Sequence, residues 1–376
     1  MDFDFSDREK AFCEKIKGLF DPDSRSALAK LENADDNQIR SVLLHWLKSL
    51  GQAGYLTLGL DDGRIYVGMV AAQESLAEIS PSLFLSVEAS TRIFGRLIAI
   101  YGTPDQKNQL LPALKEGQLI GAVALSEEGM SIENNPLNTT VVPVDDSFQV
   151  SGSKSYVVNG PIADWIAVAG KKEESLAFFL IKKDSEGLSV GKRLPSLGYN
   201  GTAISTISLE NCPVPSKCVL GPFEGKEPLK IARTWEDQIL TAGSLGLMQR
   251  CYETALTYAK NHKSGGKPII AYQEVGFKLA EILTILQTAQ LLAYRAAWMA
   301  ESGDSEASVV AHCAKVFCTE STETVASQAL QILGGYGYLG GNAAEEGYRD
   351  AKYLQIAGTS SEISRMKIGD GVLESD

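Results

Sequence analysis

Histidine is scarce and cysteine is unpaired in this chain of 376 residues: three histidines, and six cysteines (Cys13, Cys212, Cys218, Cys251, Cys313 and Cys318) without a C-x-x-C step or a histidine cluster. Neither a zinc site nor a disulfide framework is signalled, because each needs such ligands in close, paired spacing. No metal is expected. Thiols scattered this way read as reduced, and the chain opens on acidic Met1-Asp2-Phe3-Asp4 rather than on a basic stretch before an apolar run, so a cytoplasmic location is expected. Nothing reaches about 18 uninterrupted apolar residues, so no membrane span is expected. Positive charge is also short: 35 Lys and Arg against 47 Asp and Glu leave a net charge of −12. That field repels phosphate backbones and anionic lipid, which argues against nucleic acid or membrane as the main partner. There is no internal repeat and no low-complexity linker.

What is present changes period twice. Up to residue 118 apolar residues recur at three- and four-residue spacing, as in Val42, Leu43, Trp46, Leu47 and Leu50, which predicts amphipathic helices. Across 119–224 the pattern becomes short β-rich runs (Ser155 to Val158, Trp165 to Val168, Ala177 to Ile181) broken by Gly, Asn and Asp. From 225 to 376 helical periodicity returns, near 235–262, 271–302, 305–333 and 360–370. The expectation is an α+β chain of three tightly packed units: helical, β, helical. Apolar residues on more than one face of the late helices, as from Ala289 to Ala300, predict burial against a further helix layer or a second subunit.

Four stretches, in order, carry a resemblance. They are Tyr101-Gly102-Thr103-Pro104-Asp105-Gln106-Lys107 with Leu111-Pro112; Val150 through Gly160 with Ala163-Asp164-Trp165; Tyr258 through Gln273; and Gln331-Ile332-Leu333-Gly334-Gly335-Tyr336-Gly337-Tyr338, followed by Tyr348-Arg349-Asp350-Ala351-Lys352 and Gly358-Thr359-Ser360 through Arg365. Together they resemble the acyl-CoA dehydrogenase family over nearly the whole chain. The resemblance implies an N-terminal helical domain, a middle β-barrel-like domain and a C-terminal four-helix bundle. It also implies bound FAD and a substrate carried as an acyl-CoA or acyl-carrier-protein thioester. Electrons would pass to an electron-transfer flavoprotein or another acceptor, and the assembly would be a homodimer or homotetramer.

Members of that family remove a proton beside the thioester carbonyl while the flavin takes hydride from the next carbon. The proton needs a carboxylate, and the carbonyl needs donors that strengthen as enolate charge develops. The Glu that precedes Gly-Thr in most members is missing here: the matching positions are Ala357 and Gly358. A minority branch, including isovaleryl-CoA dehydrogenases, carries the base at the start of the C-terminal domain, and Glu236 in Thr234-Trp235-Glu236-Asp237-Gln238 matches that position. The bland alternative is a helix cap, with Thr234 and Asp237 as a capping box and Glu236 favoured by the dipole of a first turn. Glu236 is the expected catalytic base, and Glu88, Arg92, Asp237, Ala357 and Gly358 are the expected substrate contacts. Arg92 follows Glu88 by four residues, so the pair is either an ion pair on a solvated helix face or a cation in the acyl pocket. Phe84 stands where dicarboxyl-CoA members place an arginine.

The resemblance assigns the flavin to Leu125, Ser126, Ser131, Tyr156, Val157, Val158, His262, Gln331, Gly334, Gly335, Thr359, Ser360 and Glu362. Glycines at 334 and 335 read either as helix C-caps or as bare backbone against an adenosine diphosphate group. Several positions depart from the family pattern. Val158 replaces a common hydroxyl, His262 and Gly265 replace the arginine and phenylalanine of a cross-subunit Arg-x-Gln-Phe-Gly, and the loop Ser126-Glu127-Glu128-Gly129-Met130-Ser131 leaves Ser131 to stand in for a phosphate-side serine. These departures keep two alternatives open: a flavoprotein of the same fold with non-desaturating chemistry, and a partner subunit without its own flavin.

Overall fold

The computed structural model describes residues 5–60, 66–129, 137–172 and 175–373. Seven helices come first: α1 (Asp7–Gly18), α2 (Pro22–Ala29), α3 (Asp36–Ala53), α4 (Val67–Ile79), α5 (Pro81–Glu88), α6 (Arg96–Tyr101) and α7 (Pro104–Lys115). Local chemistry sets their starts. Ser6 with Glu9, Asp35 with Gln38 and Thr103 with Gln106 each form a reciprocal capping box that satisfies orphan amides in the first turn. Between α5 and α6 the backbone widens into a π-helical turn over Ala89–Gly95. Such turns interrupt the 3.6-residue phase and recur at functional sites.

Eight strands follow: β1 (Gly121–Ala124), β2 (Thr140–Val144), β3 (Ser147–Val158), β4 (Trp165–Lys172), β5 (Ser175–Lys182), β6 (Leu188–Val190), β7 (Ile204–Pro215) and β8 (Val219–Phe223). They form one mixed sheet in the order β6-β7-β3-β2-β4-β5-β8, with β1 parallel to β4. The long β3–β7 ladder is antiparallel and slips register between Lys154 and Val157. At that bulge Tyr156 takes a φ of 57° and stands 72% exposed. An extra residue in one strand re-aims the side chain that carries it.

The third unit comprises α8 (Glu227–Asn261), a two-stranded arm of β9 (Lys263–Ser264) and β10 (Lys267–Pro268), then α9 (Gln273–Ser302), α10 (Ala307–Leu333), the short α11 (Gly335–Tyr338), α12 (Ala343–Ile356) and α13 (Ser361–Leu373). The segment 262–268 reads as a loop in the sequence. It folds as a tight hairpin because Gly265 and Gly266 supply positive φ, 57° and 82°, at both central positions. Helix α8 begins at Glu227, nine residues before Glu236, and Thr234 Oγ1 donates to the Lys230 carbonyl rather than capping anything. The capping-box alternative for Glu236 is therefore overturned: that side chain sits in the third turn, beyond the reach of the N-terminal dipole.

One apolar core runs from the first helices through the inner face of the sheet, from Ile16 and Leu47 to Val150, Phe179 and Val214. A second fills the space between α4, α8, α9 and α10, with Met69, Leu245, Ile282, Leu286 and Val325. Helix α8 belongs to both sides, packing on α4, α9, α10 and α12. Ion pairs lace the units at the rim, as between Arg40 and Asp164 (2.6 Å) and between Arg349 and Glu32 (3.0 Å). Among the described residues α9 is the one helix long and apolar enough to cross a membrane, and only 22% of its most apolar window is buried.

Candidate active site

Two adjoining cavities open where α5, β1, β3, α8 and α12 meet. The tighter one has a free interior of about 50 Å³ and is walled by Leu85, Ala89, Ile93, Val123, Leu125, Ile239 and Leu240. The wider one, about 1960 Å³ with its mouth, runs past Leu194–Gly198 to Ile356–Ser360. Five side chains line both: Ser126, Tyr156, Arg233, Glu236 and Tyr353. Glu236 therefore stands at the neck between an apolar pocket and a long groove of mixed lining. Its Oε2 accepts from Arg233 Nη1 at 2.5 Å, and Arg233 Nη2 lies 3.4 Å from Ser126 Oγ. The side chain of Glu236 is 21% exposed, open to the neck while shielded from bulk water.

The next residue faces the other way. Asp237 Oδ1 accepts from the Thr359 amide at 2.6 Å, at the N-terminal end of α13, and Asp237 Oδ2 is buried without a hydrogen-bond partner. Lys315 answers it from α10: its ammonium donates to the carbonyls of Leu354 and Ala357, at the C-terminal end of α12. Each charge meets the helix end of opposite partial charge. Burial pushes the Asp237 carboxyl up to about 6, opposed by Lys315 and by the Thr359 hydrogen bonds; burial pulls Lys315 down to about 8, opposed by Asp237 and then Glu236. Between the two helices lies Gly358, with a φ of 68°. A Cβ on Gly358 would overlap Asp237 Oδ1 and stand 3.0 Å from Leu240 Cδ1. Of the two positions that match the usual base, Gly358 thus has no room for a side chain unless Asp237 moves, and Ala357 carries only a methyl.

The groove has features that fit a planar, phosphate-bearing cofactor. Tyr156 presents its ring into it beside Val158, while Val157 points into the sheet core at 1% exposure. Ser126 and Glu127 after β1 are pinned in place: Glu127 accepts from Lys154 Nζ (2.7 Å), Thr139 Oγ1 (2.6 Å) and the Asn138 amide (2.6 Å), and Ser126 O accepts from the Ser155 amide. At the other end Thr359 lines the groove just before the thirteen-residue α13. A helix start offers backbone amides and the positive end of its dipole to an anionic group. Ser360 lines the same groove, and Glu362 stands exposed just beyond it, its carboxyl held down by the backbone amides and the Ser360 hydroxyl of that first turn.

A second group assigned to the cofactor gathers elsewhere. His262 stacks on Tyr258 (4.7 Å, 13°) and Tyr258 on Tyr336 (5.6 Å, 6°), beside the exposed Gln331, Gly334 and Gly335. Gly334 has a φ of 59°, and an added Cβ on either glycine would meet nothing within 4 Å. These residues lie at the C-terminal end of α8, whereas Glu236 lies near its start. Twenty-five residues at 1.5 Å each put the two about 38 Å apart. Within one chain they cannot serve one site.

Three substrate assignments are corrected. Glu88 and Arg92 lie outside the cleft and are wholly buried: Glu88 accepts from Tyr55 Oη (2.8 Å) and Gln73 Nε2 (2.5 Å), and Arg92 donates to the Tyr55 and Leu56 carbonyls. The cleft is lined instead by the stripe Leu85, Ala89 and Ile93, one residue on and so about 100° around the helix. Asp237 lines a separate alanine-walled cavity between α8, α9 and α10, not the cleft. Among the cofactor assignments, the Val157 side chain is corrected to the core, and Ser131 lies outside the described residues. Ala357 and Gly358 do line the groove. Sequence reasoning missed Arg233 and Tyr353. Arg233 was findable as the residue one helical turn before Glu236, had the start of α8 been known; Tyr353 required α12, which the periodicity did not reveal. No cluster of three metal-ligating side chains occurs among the described residues.

Comparison with known proteins matches this arrangement. Family models for the acyl-CoA dehydrogenase N-terminal, middle and C-terminal domains match residues 6–118, 122–212 and 234–373. A mitochondrial isovaleryl-CoA dehydrogenase of Oryza sativa subsp. japonica is 32% identical over 335 residues, covering 87% of this chain and 80% of its own. The solved butyryl-CoA dehydrogenase of Megasphaera elsdenii superposes with a TM-score of 0.88 at 25% identity, covering 99% of this chain and 100% of its own. A prolyl acyl carrier protein oxidase superposes with a TM-score of 0.84 at 25% identity, over 98% of this chain and 100% of its own.

Proposed function

The chain belongs to the acyl-CoA dehydrogenase family, and from that premise we propose that it desaturates short acyl thioesters with FAD, using Glu236 to remove the α-proton. The observation that carries this reading is the pairing of an open carboxylate with a closed alternative: Glu236 reaches the neck of the cleft while Asp237 fills the space beside Gly358. The tight apolar pocket, with a free interior of about 50 Å³, favours a short or branched acyl group over a long alkyl chain.

FAD would be held by the Ser126 hydroxyl, the Tyr156 ring and the hydroxyls of Thr359 and Ser360, with Glu362 at the same helix start. When bound it supplies the hydride acceptor. The chain's residues do the rest. Leu85, Ala89, Ile93 and Leu240 exclude water from the acyl group, so the proton passes to the carboxylate and not to solvent. The backbone amides of Ala357–Thr359 stay fixed by Lys315 and Asp237 on either side. Either coenzyme A or a carrier protein presents the same phosphopantetheine arm, and the groove is wide enough for that arm with Arg349 and Lys352 on its wall. An electron-transfer flavoprotein or another acceptor would reoxidise the flavin. A reducing, cytoplasmic setting accords with six free thiols.

A homo-oligomer is part of the proposal. Phe277, Leu291 and Trp298 on α9 are 61%, 54% and 52% exposed at heptad spacing. The roughly 38 Å between Glu236 and the end of α8 also makes the aromatic cluster there useful to a second copy rather than to its own chain. The double variant Leu291→Asp, Trp298→Asp is expected to sediment as a monomer and to lose flavin; an unchanged mass would remove the α9 face from the interface. For the base itself, Glu236→Gln should keep the bound flavin spectrum and lose at least a hundredfold in anaerobic flavin reduction by acyl thioesters, the usual contribution of a positioned base being about 10²–10⁴. Full activity in that variant would sink the assignment.

A further inference from the structure

Apart from the cleft, a further cavity lies inside the helical unit between α8, α9 and α10, with a free interior of about 240 Å³. Half of its fourteen lining residues are alanine, four of them (Ala293, Ala296, Ala297 and Ala300) from α9 and three from α10. Methyl groups at these positions leave room open, and helix bundles build ligand sites in such cores. At about 100° per residue the α9 alanines turn away from the stripe of Phe277, Leu291 and Trp298, so a second copy seated on that stripe would not fill the cavity. Small residues alone make no site; the polar wall does. Asp237 is 6% exposed, its Oδ1 accepts from the Thr359 amide, and its Oδ2 has no hydrogen-bond partner. Lys315 does not supply one, since its ammonium donates to the carbonyls of Leu354 and Ala357. Thr241 on the same wall is committed to the Asp237 carbonyl. The next side chain, Gln238, also leaves a buried oxygen, Oε1, without a donor. A buried carboxylate oxygen without a donor is strongly disfavoured. Both orphans are acceptors, so the missing group is a donor, and a cationic donor makes the stronger bond to a carboxylate.

We propose that this cavity is a binding site for a small primary alkylammonium ion, whose head group donates to Asp237 Oδ2 and Gln238 Oε1 while its carbon chain lies along the alanine methyls. A primary ammonium carries three donors and no acceptor, which suits a wall of two orphan acceptors. An apolar cavity of about 150 Å³ takes up benzene, so this interior holds a chain of about six carbons as well as the head group. Thr234 and Ser308, both exposed, stand at the mouth through which it enters. The site binds and makes or breaks no bond. It is also independent of the base, because Asp237 faces this cavity and Glu236 the cleft.

The test is calorimetric titration of the FAD-loaded protein at neutral pH with n-hexylammonium chloride, and separately with 1-hexanol, which has the same chain and no charge. Saturable uptake of the amine is expected, at least about tenfold tighter than the alcohol, the low end for a hydrogen bond to a charged group. Asp237→Asn keeps an oxygen for the Thr359 amide but carries no charge, and should weaken the amine by at least about tenfold. Ala311→Leu, at a half-buried position on the α10 wall, fills part of the cavity and should weaken the amine likewise. Absence of saturable uptake, equal affinity for amine and alcohol, or undiminished amine affinity in either variant overturns the proposal. If Asp237→Asn does not fold, the comparison of the two ligands and Ala311→Leu decide the matter.

Discussion

Gly358→Glu restores a carboxylate where most relatives of this fold carry their base, and the structure says that the restoration fails. Two effects oppose it. The backbone at 358 has a φ of 68°, a left-handed conformation in which an L side chain costs about 1–2 kcal/mol. Its Cβ would also overlap Asp237 Oδ1, and forcing extra atoms into a packed site costs about 1–3 kcal/mol. A loss of about 2–5 kcal/mol follows, more if Asp237 swings away and leaves the Thr359 amide. Urea denaturation of the FAD-bound protein measures it, with Gly358→Ala as the comparator that keeps the overlap without the carboxylate. In a cycle with Asp237→Ala the two changes should be non-additive by about 1–3 kcal/mol, because the second removes what the first strikes. Glu236→Gln, Gly358→Glu should stay inactive. A Gly358→Glu protein within about 0.5 kcal/mol of the wild type, or recovery of turnover in the double variant, would refute the claim that Asp237 closes this position.

Arg92→Met should lose about 3–5 kcal/mol of stability by leaving Glu88 buried beside fewer donors, yet leave the order of preference among acyl thioesters unchanged; a new preference would return Arg92 to the pocket. Tyr156→Ala should change stability by less than about 0.5 kcal/mol, the ring being largely exposed, while weakening flavin retention in gel filtration at least tenfold; undiminished flavin content would count against a stacking role. Asp350 tests linkage. Burial raises its carboxyl to about 7, opposed by the Tyr199 amide, so the folded protein holds a proton that the unfolded chain has released above pH 3.8. Its contribution to stability therefore falls as pH rises from about 4 to 7, by at most about 4 kcal/mol at 1.36 kcal/mol per unit. Asp350→Asn should match the wild type near pH 4 and exceed it near pH 8 in thermal midpoint; a difference independent of pH would contradict this.

The changes of period along the chain were legible because burial on one face leaves a repeat: three and four residues in α3, and short runs bounded by Gly and Asn in β3 to β5. Helix α12 was not. Its buried residues (Ala344, Glu346, Gly347, Asp350, Ala351 and Leu354) include one large apolar side chain, Leu354, the rest being small or acidic, since it is held by pairs such as Arg250 with Glu346 and by the Tyr199 amide on Asp350. A core made of charge pairs carries no hydrophobic repeat. The hairpin arm at 263–268 was written in Gly265-Gly266, but only as a turn; that four residues around it pair depends on the ends of α8 and α9.

In the site, the type of residue was readable and its direction was not. Glu236 and Asp237 are neighbours of like charge, and from the sequence both could enter the cleft or both could cap a helix. What separates them is the phase of α8, fixed seven residues before Thr234 by Glu227 and Pro228. With the helix already formed at 236, successive side chains turn by about 100°. One carboxylate meets Arg233 and Tyr353 at the neck; the next meets Thr359 and the field of Lys315. The same rotation decides Glu88 against Ala89. A one-residue difference in phase thus converts a base into a helix-end anchor and a supposed pocket cation into a core strut. The proposed base and the bare Gly358 are linked through α8: Asp237 anchors Thr359 across a position that carries no side chain, and the carboxylate that faces the cleft is the one before it, Glu236.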